Sequence, residues 1–183
     1  MRKVLNLGCG SNLIKSERLD VINLDANKEF KPDIVCNIIH EDIPLEDDSI
    51  DTIWMFHIIE HIVKVNRTTV LLECNRVLKE GGNIIITYPE FEICAKNFIE
   101  NKNGKRDLWE ATLFGRQSDI YDFHVTAMVS KLFKHELIDH GFTNIVVKAE
   151  HAPEDFNTII NAVKEKRIET REQVIAREVC GVS

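Results

Sequence analysis

An α/β fold on a mostly parallel sheet is what this sequence predicts, and three observations predict it. Short apolar runs rich in β-branched residues alternate with stretches whose apolar residues recur at helical spacing. The first run closes on Gly8-Cys9-Gly10 and the second on Asp25. Seven runs of strand character occur along 183 residues, enough for one open sheet. Strands alternating with helices imply a parallel sheet covered on both faces. Ligands in such sheets bind beyond the carboxyl ends of the strands.

Each element has its own justification. Lys3 to Leu7 reads as a buried strand entering a tight glycine turn. Arg18 to Leu24 (RLDVINL) is the second strand, ending at Asp25, and Asp33 to Cys36 is a short third one opened by Pro32. Ile50 to Phe56 (IDTIWMF), β-branched and aromatic, is the fourth. Ile58 to Leu78 places Ile58, Ile62, Val65, Thr69, Leu72 and Val77 at helical spacing, with Gly81-Gly82 as its stop. Asn83 to Tyr88 is the fifth strand, closed by Pro89. From Glu90 to Tyr121 the pattern weakens, with a break at residues 101–104. Thr126 to His140 reads as a helix carrying Met128, Leu132, Phe133 and Leu137 on one face and stopped by Gly141. Phe142 to Ala149 and Asn157 to Val163 are two further strands. Residues 1–164 form a single domain in this reading, and 165–183 a loosely docked helical tail.

Composition excludes several classes. At 44% hydrophobic and 29% charged the chain supports one core and is not low-complexity. A net charge of -7, from 23 basic and 30 acidic residues, is no nucleic-acid footprint, so a nucleic-acid partner is not expected. No apolar run approaches the roughly 18 to 20 residues of a membrane span, and the apolar stretch after Met1-Arg2-Lys3 is too short for a signal peptide. A cytoplasmic chain is expected. Cys9, Cys36, Cys74, Cys94 and Cys180 include no C-x-x-C pair, so they are expected to be reduced and mostly buried.

The chemistry begins at the first turn. Gly8 and Gly10 let a ligand approach the backbone, because neither has a side chain in the way. Asp25 follows Gly8 by 17 residues, at the end of the second strand, where a carboxylate can accept both hydroxyls of a ribose. Together they indicate a nucleoside-type cofactor. A dinucleotide fingerprint would need a third glycine where this chain has Leu13, so a cofactor without a pyrophosphate fits better.

Val4 to Gly10 (VLNLGCG) followed by Asn23-Leu24-Asp25 resembles the first two motifs of class I S-adenosylmethionine-dependent methyltransferases. The resemblance continues through residues 43–51 (IPLEDDSID), His57 to His61 (HIIEH), Arg76 to Gly82 (RVLKEGG) and Ile84 to Pro89 (IIITYP). His124, Gly141-Phe142 and Asn157 to Lys164 also look like small methyltransferases of this kind, which often modify carbohydrates or surface polymers. The resemblance implies a Rossmann-like three-layer sandwich with a seven-stranded, mostly parallel sheet and an antiparallel last strand. It implies S-adenosylmethionine as cofactor, with Leu7, Gly8, Cys9, Gly10 and Ser11 around the methionine moiety and Asp25 on the ribose. Asn37 would face adenine where many members have an acid, and Phe56 and His57 would close over the sulfonium side. Only Met1 and Arg2 precede the first strand, so a lid is expected from residues 90–124, from the tail, or from a second subunit of a homo-oligomer.

The remaining candidates have ordinary readings beside functional ones. His57 and His61 are four apart, a spacing known from zinc sites, but a helix start near a cofactor explains it as well and no metal is expected. His124 reads either as a capping residue or as a substrate-facing general base, and is the catalytic candidate, with Tyr121 a candidate acceptor contact. Glu46-Asp47-Asp48 reads as a solvated acidic loop and Trp54 as core. No N/D-P-P-Y/F run follows the fourth strand, unlike nucleic-acid amino-methyltransferases of this fold. The expected function is methyl transfer, at oxygen, to a small-molecule or sugar-containing acceptor. The competing reading is a non-catalytic S-adenosylmethionine-binding regulatory or interaction module.

Overall fold

The computed structural model describes residues 1–118, 120–149, 157–165 and 168. Seven strands form one sheet: β1 (Arg2–Leu7), β2 (Leu19–Asp25), β3 (Ile34–Val35), β4 (Ile50–Phe56), β5 (Leu78–Pro89), β6 (Phe142–Ala149) and β7 (Asn157–Lys164). Their order across the sheet is β3-β2-β1-β4-β5-β7-β6. The pairs among β1 to β5 are parallel, and β7 runs antiparallel to both β5 and β6. This is the expected three-layer sandwich with its antiparallel last strand. The reversal of strand order lies between β1 and β4, at the place where open α/β sheets bind ligands.

Four helices cover the sheet among the described residues: α1 (Lys64–Val77), α2 (Phe91–Ile99), α3 (Arg106–Phe114) and α4 (Ser130–Asp139). All follow β4, so the crossovers from β1 to β2 and from β2 to β3 hold no α-helix. A polar pair takes over the first crossover. Asn6 and Asn23 are register partners on β1 and β2 and are joined by a 3.0 Å side-chain hydrogen bond. Asn6 Nδ2 also donates to Asn12 O, while Asn23 accepts from Ile14 N–H and donates to Ile14 O. The loop is thereby laced onto the sheet, and its buried polar groups are satisfied.

The core gathers Leu5 and Leu7 of β1, Ile53 and Met55 of β4, Ile84 and Ile86 of β5, and Val70, Leu71, Cys74 and Val77 of α1. The buried stripe of α1 is therefore 67-70-71-74-75-77, not the expected one through Val65 and Thr69, which face solvent. The shift follows from the helix starting at Lys64, after a separate turn at Ile59–His61. That helix stops at Val77, ahead of the two glycines, which fall where the β4–β5 register slips. Helix α4 starts later than expected, and Met128 is buried just before it, whereas Leu132 is 70% exposed. Trp54 is half-buried, stacked on Phe56. The acidic loop is engaged: Asp47 pairs with Arg76 and Asp48 with the fully buried Lys164.

Cys9, Cys36, Cys74 and Cys94 are free and buried. Cys180 and the segment 165–183 expected as a helical tail, apart from Glu165 and Ile168, lie outside the described residues. Among the described residues no helix is long and apolar enough to cross a membrane.

Candidate active site

The carboxyl ends of β1, β2 and β4 open onto a cleft of about 800 Å³. Its floor is the turn after β1, where Gly8 and Cys9 N–H groups donate to Leu24 O at 2.8 and 3.0 Å. Gly8 (φ 68°) and Gly10 (φ 51°) both adopt the left-handed region that glycine enters freely. The two glycines serve different ends. A Cβ on Gly8 would collide with the Ile58 side chain, whereas one on Gly10 would meet no atom within 4 Å. Gly8 is needed for packing, and Gly10 keeps the cleft floor bare.

Asp25 stands at the end of β2 on the cleft wall. Its Oδ2 accepts from Gly10 N–H at 2.7 Å and its Oδ1 from Asn27 N–H at 2.8 Å. These bonds aim the carboxylate and leave each oxygen a further lone pair for a ligand. Asn37 also lines the cleft, with its Oδ1 occupied by Ile39 N–H at 3.1 Å.

The structure brings together Gly8, Gly10, Ser11, Asp25, Asn37 and His57 around the cleft. Leu7, Cys9 and Phe56 do not line it. Leu7 points into the core, and the Phe56 ring lies 6.0 Å from that of Trp54. The Cys9 thiol is pushed up to about 11, first by burial and then by the Asp25 charge, so it stays protonated near neutrality.

His57 and His61 line the cleft from the turn after β4, with the buried Glu60 behind them. His57 follows β4 with a positive φ of 57°, a conformation that non-glycine residues hold only when their surroundings impose it. Its backbone N–H is anchored on Thr87 O at 3.0 Å. Its Nδ1 lies 3.2 Å from Oε1 of the buried Glu60. His61, also on the cleft, has Nδ1 bonded to Phe123 O at 2.9 Å. His124 does not reach the cleft lining: it packs edge-on against His61, 4.8 Å between ring centroids, with Nδ1 bonded to Thr112 O at 2.9 Å. Burial holds the His124 pKa below the usual histidine value, against the opposing pull of Glu60.

Glu60 is the residue that sequence reasoning missed. The H-x-x-E-H string suggests a helix face shared by His57 and His61, but Ile59–His61 is a single 3₁₀ turn. Its tighter winding turns His57 onto Glu60, three residues on. Of the expected lid, residues 116–125 form the cleft wall, through Arg116, Ser118, Tyr121, Asp122 and Phe123. Helices α2 and α3 contribute no residue to that wall.

Residues 5–86 match the family model described as a methyltransferase domain. Solved structures share the fold. A SAM-dependent methyltransferase from Archaeoglobus fulgidus superposes with a TM-score of 0.64 at 18% identity, over 89% of this chain and 86% of that one. Another from Methanosarcina mazei gives 0.65 at 18% identity, over 88% and 92%. A putative methyltransferase from Haloferax volcanii, solved in complex with the Trm112 methyltransferase activator, gives 0.62 at 15% identity, over 90% and 83%. A comparison with curated proteins found no match. The fold is that of the class I S-adenosylmethionine-dependent methyltransferases, and residues 5–86 match a methyltransferase-domain model. Fold and domain imply S-adenosylmethionine as the cofactor, and the cleft residues fit it. Gly10 leaves the floor bare, and Asp25 keeps acceptor sites for two hydroxyls.

Proposed function

We propose that this methyltransferase alkylates a hydroxyl group of a small-molecule or sugar-containing acceptor, with His57 as the proton acceptor. The observation that carries this reading is His57 on the cleft wall, paired from behind with the buried Glu60. S-adenosylmethionine supplies a methyl group already activated on a sulfonium, so the transfer is an in-line displacement governed by positioning. Gly8, Gly10 and Asp25 hold the cofactor in this proposal. A hydroxyl nucleophile gains from a base, and histidine is the side chain that exchanges protons near neutral pH. Glu60 fixes the His57 ring through Nδ1, leaving Nε2 to accept the proton. The acceptor side would be residues 116–125, whose Arg116, Ser118, Tyr121 and Asp122 offer a sugar-like molecule hydrogen bonds and one aromatic face. The test is S-adenosylhomocysteine production with a panel of hydroxyl and sugar acceptors. His57→Gln should lower turnover by roughly a hundredfold while cofactor affinity changes by less than about fivefold. Equal turnover in variant and parent overturns the base. Cofactor binding with no transfer to any acceptor would instead support a binding module.

A further inference from the structure

Behind the cleft wall, Glu60, His61 and His124 each present one ligand-type atom, all within 4.8 Å of one another. Two of the three come from the turn after β4 and the third from 63 residues later, so the fold and not a local motif assembles them. We propose that they hold one divalent transition-metal ion of the zinc kind, as a two-histidine, one-carboxylate site beside the cofactor cleft.

Three features support it. First, Glu60 is 1% exposed, and while Oε1 is bonded to His57, Oε2 is buried with no partner. A buried carboxylate oxygen without a hydrogen bond is expensive unless something cationic or a donor completes it. Second, both histidines are held as metal-ligating histidines are. Each has Nδ1 bonded to a backbone carbonyl at 2.9 Å, His61 to Phe123 O and His124 to Thr112 O. Nδ1 is then the donor, which leaves the Nε2 lone pair available as a ligand. Third, the carrier segments are stitched together: Val125 N–H donates to Glu60 O at 3.0 Å and Thr126 Oγ1 to Ile62 O at 3.2 Å. A small cavity of about 10 Å³ adjoins the group, lined by Glu60 and His124, while His61 faces the main cleft.

Two neutral imidazoles and one carboxylate suit zinc and its neighbours in the first transition row better than magnesium, which favours oxygen ligands. Ligand distances of about 2.0–2.2 Å require the three groups to close by about an ångström, within reach of side-chain torsions. Three protein ligands leave coordination positions open, and His61 puts the group at the edge of the main cleft. There the ion would bind an acceptor oxygen and favour its deprotonation, with His57 taking the proton. That role rests on the methyl-transfer reading; occupancy by a metal does not.

The experiment is titration calorimetry of the full chain, stripped with chelator, with Zn²⁺ and Mn²⁺ separately, plus visible absorption with Co²⁺. One ion per chain should bind, and Co²⁺ should develop ligand-field bands. Glu60→Gln, His61→Ala and His124→Ala should each weaken Zn²⁺ binding by tenfold or more. His135→Ala, on the exposed part of α4, should leave it unchanged. Glu60→Gln is near-isosteric, so it keeps the test valid if a histidine variant fails to fold. No stoichiometric binding of any of these ions, or binding unchanged in Glu60→Gln, overturns the site. Because metal binding is read without turnover, its failure is distinct from failure to find an acceptor.

Discussion

At the scale of single residues, the two glycines of the first turn divide the work between folding and binding. Gly8→Ala places a methyl group on the Ile58 side chain at a positive φ. Left-handed strain and overpacking together should destabilise the chain by roughly 2–5 kcal/mol. Gly10→Ala meets only open cleft, so stability should fall by the backbone strain alone, roughly 1–2 kcal/mol. S-adenosylmethionine affinity should nonetheless fall tenfold or more, because in the proposed binding mode the methyl group stands in the ligand's place. Urea unfolding and calorimetry on both variants check the division. Equal affinity losses with equal stability would contradict it. That the glycine turn and Asp25 lie together at the cleft was legible in the sequence, because a tight turn after a first strand and a carboxylate at the end of a second stand at the same end of a parallel sheet. The Glu60–His61–His124 group was not. Its members meet only after residues 123–125 fold back on the turn following β4.

Among elements, the strands were more legible than the helices for a physical reason. A buried strand concentrates β-branched and aromatic residues in a short run, as in IDTIWMF and NIIITY. A helix buries only a stripe, and α1 places Arg67 and Asn75 on its stripe while exposing Val65. Charged groups tie this helix down. Arg76 donates through Nε and Nη2 to Glu73, through Nη1 to Leu45 O and Asp47, and through Nη2 to Ile43 O. Its pKa is raised, chiefly by Glu73, so the fork stays charged. The loop before β4, read in the sequence as merely solvated, is thus clamped to the helix by a planar group. Arg76→Lys keeps the charge but cannot make the fork. It should lower unfolding free energy by about 2–4 kcal/mol, measured by chemical denaturation. A loss below about 0.5 kcal/mol would make the clamp a surface ion pair of ordinary weakness.

At the scale of the whole molecule, the cleft draws on at least five separate parts of the chain. The β1 turn, the end of β2, the segment Cys36 to His40 after β3, the turn after β4 and residues 120–125 all face it. The sheet order sets this meeting, because β1 lies between β2 and β4 while residues 116–125 return from beyond β5. A ligand that spans these parts binds the folded chain and has no counterpart site in the unfolded one, so binding must raise thermal stability. At a concentration of about a hundred times Kd the gain is about 2.7 kcal/mol. For a chain of this length that corresponds to a rise in Tm of about 5–10 °C. S-adenosylmethionine and S-adenosylhomocysteine should both produce it. NAD should not, since its pyrophosphate has no cradle at Leu13. Asp25→Ala removes two ribose acceptors in the proposed mode, each charge-assisted bond contributing about 1.5–3 kcal/mol. The shift at the same ligand concentration should then shrink to under about 2 °C, following an affinity loss of about a hundredfold or more. A full shift retained in Asp25→Ala would move the ribose away from the end of β2, and with it the orientation of the cofactor across the sheet.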